Sequence, residues 1–318
     1  MTNVNGPKIV VIGGGTGLPV LLRGLRKFPI NLSAIVSVTD DGGSTGRLRK
    51  DLAIPALGDI RKVIASMSDA EPTLLKLFQH RFENGNGLSG HALGNLILAG
   101  MTSITGDFYR GIIEICKIFN VKGRIYPIAN ENMILKAEFT DGTVIRGESN
   151  IPKVGKKIKR VFYEPPHFQP LPGALEAIKR AELIVIAPGS LYTSIMPNLI
   201  APEIKDALKT AKANTVYVCN VMTQHGETSK YKASDHIKAM HEHVGGSFID
   251  KIIVHSEKIA DKIKEGYAKE KAEPVHCDVD ELNQLNIDII EGRFATLHKD
   301  GTLKHDEHKI AKTLVELL

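Results

Sequence analysis

The sequence predicts an α/β protein: a Rossmann-like, doubly wound, mainly parallel sheet that carries a small antiparallel β insertion. Three observations predict it. Short, nearly continuous runs of aliphatic residues, Lys8-Ile9-Val10-Val11-Ile12 and Leu183-Ile184-Val185-Ile186-Ala187 among them, have the length and apolarity of strands buried on both faces. Segments with helical spacing separate these runs. Between Ile134 and Gly147 the period changes to that of a hairpin, with Asp141-Gly142 at the turn.

Taken in order, the strand from Lys8 to Ile12 ends in Gly13-Gly14-Gly15-Thr16-Gly17. Leu18 to Arg26 then has helical spacing, with Pro19 tolerated in the first turn. A strand from Ala34 to Val38 completes a β-loop-α-β unit, the opening of a nucleotide-binding α/β fold. Pro55 to Lys62 leads into a helix through Met67, and Pro72 to Phe82, Leu96 to Met101 and residues 108–120 read as further helices. About 121–165 reads as the antiparallel insertion. Its basic run (Lys153, Lys156, Lys157, Lys159, Arg160) is expected to be a solvated face. The α/β rhythm resumes with a helix from Leu171 to Arg180, the strand 183–187 and, after another helix, strands Thr215–Cys219, Lys251–His255 and Glu273–Cys277. No internal repeat or low-complexity linker breaks the pattern, so residues 1–318 are read as one domain.

Composition narrows the function classes. The 42% hydrophobic and 24% charged residues are ordinary for a soluble globular chain, and no apolar run reaches the roughly 20 residues that span a bilayer. No basic segment with an apolar stretch and cleavage site opens the chain, so no secretory signal is expected. Cys116, Cys219 and Cys277 are odd in number, widely spaced and set in apolar surroundings; buried thiols in a reducing cytoplasm are expected. A formal charge of +5 suits an anionic ligand but is too small to argue for nucleic acid. Few aromatics (5%) and no tryptophan likewise give little support to a base-stacking platform.

Four polar, glycine-containing loops carry the functional signal: 13–17, 39–47, 84–95 and 188–194. Each is read as following a strand, so that several open at one carboxyl edge, where parallel sheets bind ligands. The first matches neither the dinucleotide fingerprint, since Leu18 stands where a third glycine belongs, nor the Walker pattern. It remains a glycine turn before a helix N-terminus, whose free amides attract phosphate. The second, Thr39-Asp40-Asp41-Gly42-Gly43-Ser44-Thr45-Gly46-Arg47, mixes adjacent carboxylates with glycines, hydroxyls and an arginine. A packed core has no use for that mixture. Asp40 and Asp41 can take a magnesium ion or a sugar hydroxyl, and neighbouring side chains at a strand end point apart, so two different jobs are expected. Asp59 is a third candidate carboxylate or a helix cap. Gly42 to Gly46 also matches the nucleophile-elbow string, but adjacent carboxylates would oppose an oxyanion, and neither His225, His236 nor His255 stands out as a base for Ser44. In the third loop His91 is a donor to phosphate, an acid, or a structural hydrogen-bonder. Asp235, His236, His241 and His243 mimic a metal cluster, yet the spacing sets His241 and His243 on different helix faces; solvated histidines are expected.

The motifs Ile12 to Gly17, Asp40 to Arg47, Gly58-Asp59-Ile60-Arg61, Ser89-Gly90-His91-Ala92-Leu93-Gly94-Asn95 and Ala187 to Ser194 together resemble the YvcK-type gluconeogenesis factors, a family related to 2-phospho-L-lactate transferase (CofD). The resemblance spans essentially the whole chain. It implies a cytoplasmic protein that binds a UDP-sugar such as UDP-N-acetylglucosamine. It also implies a role in cell shape and wall synthesis on gluconeogenic carbon sources. The transferase branch implies the alternative, a Mg²⁺-dependent phosphotransferase with Asp40, Asp41 or Asp59 as catalytic carboxylates and Asp40 and Asp41 as metal ligands. On the binding reading, the amides around Gly13, Gly14, Gly15, Thr16 and Gly17 and around Gly42, Gly43, Ser44 and Thr45 hold the diphosphate. Arg47 and Arg61 neutralise it, and Asn95, Ser190 and Asn220 line the sugar side beside His91 and Gly189. Tyr267 and Lys304 match two further nucleotide-sugar positions; at the second the family implies arginine, and lysine keeps the charge without the planar fork. Expected partners are the nucleotide sugar, cell-wall or morphogenesis proteins and a second copy of the chain, with no nucleic acid and no membrane insertion.

Overall fold

The computed structural model describes residues 6–298 and 301–318. It begins with β1 (Lys8–Gly13), α1 (Gly17–Leu25) and β2 (Asn31–Val36), the expected β-loop-α-β unit. Helices α2 (Gly43–Leu52), α3 (Gly58–Met67), α4 (Pro72–Gln79), α5 (Leu93–Thr105) and α6 (Phe108–Ile118) follow. Strand β3 (Arg124–Pro127) precedes β4 (Ile134–Phe139), β5 (Val144–Arg146) and β6 (Ile158–Glu164). Next come α7 (Pro172–Lys179), β7 (Leu183–Ile186), α8 (Met196–Leu199), α9 (Pro202–Lys209) and β8 (Asn214–Val218). Then α10 (Ala233–Val244), β9 (Lys251–His255), α11 (Asp261–Lys269), α12 (Val279–Gln284) and β10 (Asp288–Gly292) complete the sheet. The hairpin β11 (Ala295–Leu297) and β12 (Leu303–His305) leads to α13 (Glu307–Val315).

Seven strands form one sheet in the order β10-β9-β8-β7-β1-β2-β3, every neighbouring pair parallel. Central strands need apolar side chains on both faces, and Ile9, Val11 and Ile12 of β1 and all four residues of β7 are fully buried. Burying an aliphatic side chain of this size contributes about 1.5–3 kcal/mol, so the centre of the sheet anchors everything attached to its ends. Strand order runs outward from β1 through β2 to β3, then reverses to run from β7 through β8 and β9 to β10. With right-handed crossovers, that reversal puts the two sets of helices on opposite faces and opens a crevice where β1 meets β7.

Several expectations change. The antiparallel insertion is the β5-β4-β6 sheet alone, from Ile134 to Glu164; β3 belongs to the main sheet, parallel to β2. Residues 273–277 form no strand. Pro274 lacks a backbone donor and makes only an isolated bridge with Met222, and β10 takes the sheet edge instead. The second strand is Asn31–Val36 rather than 34–38, and the acidic loop winds into α2 from Gly43. Loop 84–95 lies between α4 and α5, so it does not follow a strand. The insertion's basic run is a solvated face as expected, all five residues exposed, with surface ion pairs of Lys156 to Asp141 at 2.6 Å and of Lys159 and Arg160 to Glu138 at 2.7 and 2.6 Å. His236 is fully buried, its Nδ1 2.9 Å from the Tyr217 hydroxyl, and His241 and His243 are half-buried, so none of the three is solvated. Nε2 of His241 faces the amides of Phe248 and Ile249, and Nε2 of His243 accepts from the Val161 amide. All three cysteines are free thiols, Cys219 buried and the other two half-buried. Among the described residues no helix is long and apolar enough to cross a membrane.

Candidate functional site

The crevice predicted by the reversal of strand order is a cleft of about 780 Å³. Its inner wall comes from the turns at the carboxyl ends of β1 and β7, Gly15 to Gly17 facing Pro188 to Ser190. These turns touch so closely that only glycine fits at 17, where a Cβ would lie 2.1 Å from the Pro188 carbonyl oxygen. Thr16 caps α1 in position but not with its side chain, and the first turn holds no acid. The leading amides of α1 therefore keep their affinity for an anion.

Opposite stand Tyr267 of α11 and Leu303, Lys304 and His305 of β12. The Leu303 amide donates to the Tyr267 hydroxyl at 2.8 Å, which fixes the ring beside the hairpin. Burial pushes His305 down to about 4, so it is neutral, and its Nε2–H donates to the Cys219 carbonyl at 3.0 Å. Asn220 spends its amide on the Gly189 backbone, accepting from the amide at 3.0 Å and donating to the carbonyl at 2.7 Å. It shapes the Pro188–Ser190 wall. After Ser190 the chain makes one π-type turn, Leu191–Ile195. Buried Glu227 holds this turn by accepting from the Tyr192 amide at 2.9 Å and the Thr193 hydroxyl at 2.7 Å.

The other sequence-predicted residues gather beside this cleft rather than in its lining. Asp59, in the first turn of α3, is the link: one carboxylate oxygen accepts from the Gly15 amide at 2.6 Å and the other from Lys62 at 2.9 Å. Asp40 and Asp41 lie in the loop past β2 and turn to different partners. Asp40 accepts from the Gly42 amide at 2.9 Å and turns towards Gly58 and Thr45, and burial raises its pKa, with Asp59 adding to the effect. Asp41 accepts from the Ser149 amide at 2.9 Å and so ties the insertion to the sheet edge. Ser149 follows Glu148, which enters this acidic group from the insertion. Burial, then Asp40 and Asp41, push the Glu148 carboxyl up to about 8. Behind the loop, buried Arg49 donates to the carbonyls of Thr39 at 2.8 Å and Asp40 at 2.9 Å and to Met133. Among the described residues no set of three or more His, Cys, Asp or Glu side chains is arranged to hold a metal. A magnesium ion at Asp40 would take most of its oxygens from phosphate and water.

A second buried chain of hydrogen bonds explains the elbow-like string. Ser44 Oγ lies 3.1 Å from His91 Nδ1, and it accepts from Asn95 Nδ2 at 3.1 Å and from the Ala92 amide at 3.3 Å. Asn95 Oδ1 in turn accepts from Arg61 at 3.0 Å. Burial, then Arg47, lower the His91 pKa, and with two donors on its oxygen the Ser44 hydroxyl donates a hydrogen bond to His91 Nδ1. With two N–H groups already on its oxygen, Ser44 is held as a link between α2 and α5. Arg47 donates to the Ser89 carbonyl at 2.7 Å and fastens the same loop from outside. Thus Gly15, Thr16, Gly17, Gly189, Ser190, Asn220, Tyr267 and Lys304 come together in the cleft. Gly42 to Thr45, Arg47, Arg61, His91 and Asn95 form a neighbouring layer joined to it through Asp59. Sequence reasoning missed Glu148, Glu227, Arg49 and His305, whose environments arise only from contacts far along the chain.

Fold and site together define a doubly wound α/β protein with a polar cleft at its switch point. The family model described as 2-phospho-L-lactate transferase CofD matches residues 9–295. A gluconeogenesis factor of Halalkalibacterium halodurans is 56% identical over 308 residues, covering 97% of this chain and 95% of that one. The gluconeogenesis factor of Bacillus subtilis is 53% identical over 312 residues, 98% of each chain. A crystal structure of a Bacillus halodurans protein superposes with a TM-score of 0.96 at 55% identity, covering 98% of this chain and 100% of that one. The chain belongs to the CofD-related family of YvcK-type gluconeogenesis factors.

Proposed function

We propose that this protein is a gluconeogenesis factor that works by binding a UDP-sugar of the UDP-N-acetylglucosamine kind, as a cytoplasmic regulator of cell shape and wall synthesis. One observation carries the reading: the switch-point cleft sets the open amides of α1 against the Gly189-Ser190 wall, with Tyr267 and Lys304 across the gap. A diphosphate suits the amides and the lysine charge, and a uracil ring suits a fixed tyrosine face. The cleft volume, about 780 Å³, accommodates a ligand of that size. Calorimetry with UDP-N-acetylglucosamine, GDP and NAD tests this. Preferential binding of the UDP-sugar is expected, and no binding of it at millimolar concentration overturns the reading.

The acidic layer favours a second reading, transfer chemistry. Asp59 touches the Gly15 amide directly, and Asp40 and Glu148 stand within electrostatic reach of it. In a transferase, Asp40 would hold Mg²⁺ together with the phosphates, and the ion would neutralise charge on the leaving nucleotide. Incubation with labelled nucleotide-phospholactate and magnesium separates the two. Release of nucleotide that Asp40→Asn abolishes supports the transferase; binding without turnover supports the regulator.

A further inference from the structure

A second cavity, of about 560 Å³, lies between the antiparallel insertion and α10, and it shares no lining residue with the switch-point cleft. Lys156, Lys157 and Lys159 face it from the insertion, Lys230 from the loop after β8, and Lys238 from α10. Three of these lysines pair with carboxylates outside the cavity, namely Asp141, Glu138 and Glu281. Lys157 and Lys230 form no ion pair among the described residues. The lining carboxylates are Glu227, Asp235 and Glu242. Glu227 is spent on the π-type turn, with burial raising its pKa, and Asp235 accepts from the Lys232 amide at 2.8 Å.

The cavity also has a hydroxyl pair: Tyr192 and Tyr231 meet at 2.8 Å. One hydroxyl donates to the other, so one phenolic proton is left for a third partner. The loop that carries Lys230 and Tyr231 is seated deliberately. A Cβ at Gly226 would lie 2.0 Å from the Pro152 carbonyl oxygen, so the loop presses onto the insertion. Lys230 itself adopts φ +64, a conformation that costs a side-chain-bearing residue about 1–2 kcal/mol. Strain of this kind concentrates where a loop presents a side chain to a ligand. Lysines without any arginine in the lining suit a compact dianion, which takes point charges from several sides, better than a planar carboxylate, which takes a fork.

We propose that this cavity binds a small phosphorylated anion of sugar-phosphate size, its phosphate held by Lys157 and Lys230 and its hydroxyls by the Tyr192–Tyr231 pair. The site stands whether or not the switch-point cleft takes a nucleotide sugar. Titration calorimetry of the full chain with glucose 6-phosphate tests it. Binding is expected, weakened about tenfold or more by the Lys157→Gln/Lys230→Gln double variant. Lys304→Ala, in the other cleft, should leave that binding unchanged. Both replaced lysines are exposed, so the double variant should keep the wild-type melting temperature without ligand. Absence of binding at millimolar concentration, equal affinity in the double variant, or loss of binding in Lys304→Ala instead would each overturn the assignment.

Discussion

Replacing Glu148 with glutamine should stabilise the protein at neutral pH and leave it unchanged in mild acid. The native carboxyl is pushed up from 4.5 to about 8, first by burial and then by Asp40, Asp41, Glu227 and Asp59. In the unfolded chain it ionises at its ordinary value. Between the two values the native state keeps a proton that the unfolded state has lost. Stability associated with this group is thus complete below the unfolded value and falls as pH rises towards the folded one. The slope is about 1.4 kcal/mol per pH unit, which would reach about 3 kcal/mol at pH 7. Partial exposure of Glu148 reduces that to about 1–2 kcal/mol. Glutamine keeps the shape and cannot ionise. Urea unfolding of both proteins across the range from about pH 4.5 to 8 gives the comparison directly. The gap should start near zero, grow to about 1–2 kcal/mol in favour of the variant at pH 7, and level off above the folded value. A gap independent of pH, or a wild type more stable than the variant at pH 7, would refute the reasoning.

Three further outcomes follow from single contacts. Gly17→Ala forces a methyl onto the Pro188 carbonyl; it should cost about 1–3 kcal/mol in urea unfolding and weaken UDP-sugar binding measured well below the melting temperature. Arg49→Ala strips the donors from the carbonyls of Thr39, Asp40 and Met133 and should cost about 3–5 kcal/mol, with Arg49→Lys recovering only part of it. Ser44→Ala leaves the Ala92 amide and Asn95 without their acceptor and should cost about 1–3 kcal/mol by urea unfolding. Any nucleotide release the protein shows should survive that change, and loss of release with the fold intact would restore Ser44 as a nucleophile.

Much of the framework was legible because buried parallel strands leave a local signature. Ile9 to Ile12 and Leu183 to Ile186 read correctly as apolar runs, and Asp141-Gly142 announced the hairpin. Strand β3 escaped notice because it is four residues long, ends in proline and sits at the sheet edge. The segment around Val275 misled because its pairing stops at a single bridge between Pro274 and Met222, Pro274 having no amide with which to extend a ladder. Glycine concealed the start of α2, since Gly42 and Gly43 look like loop until the helix that follows them is seen. The site was legible as an inventory but not as an arrangement. Glycines and carboxylates flagged both layers, but their division depends on Asp59 reaching Gly15 across 44 residues and on Asp41 reaching Ser149 across 108. The acids that matter most for charge, Glu148 and Glu227, sit in no motif; the sheet edge and the insertion bring them in.

Amide hydrogen exchange with and without saturating UDP-N-acetylglucosamine most directly tests whether the switch-point cleft is the ligand site. The account predicts ligand-dependent protection at Gly15 to Gly17, Gly189 and Ser190, and at Tyr267 and Leu303 to His305, the walls of one cleft. Protection confined to residues 40–47 and 89–95, with those walls unchanged, would place the ligand in the acidic layer and contradict it.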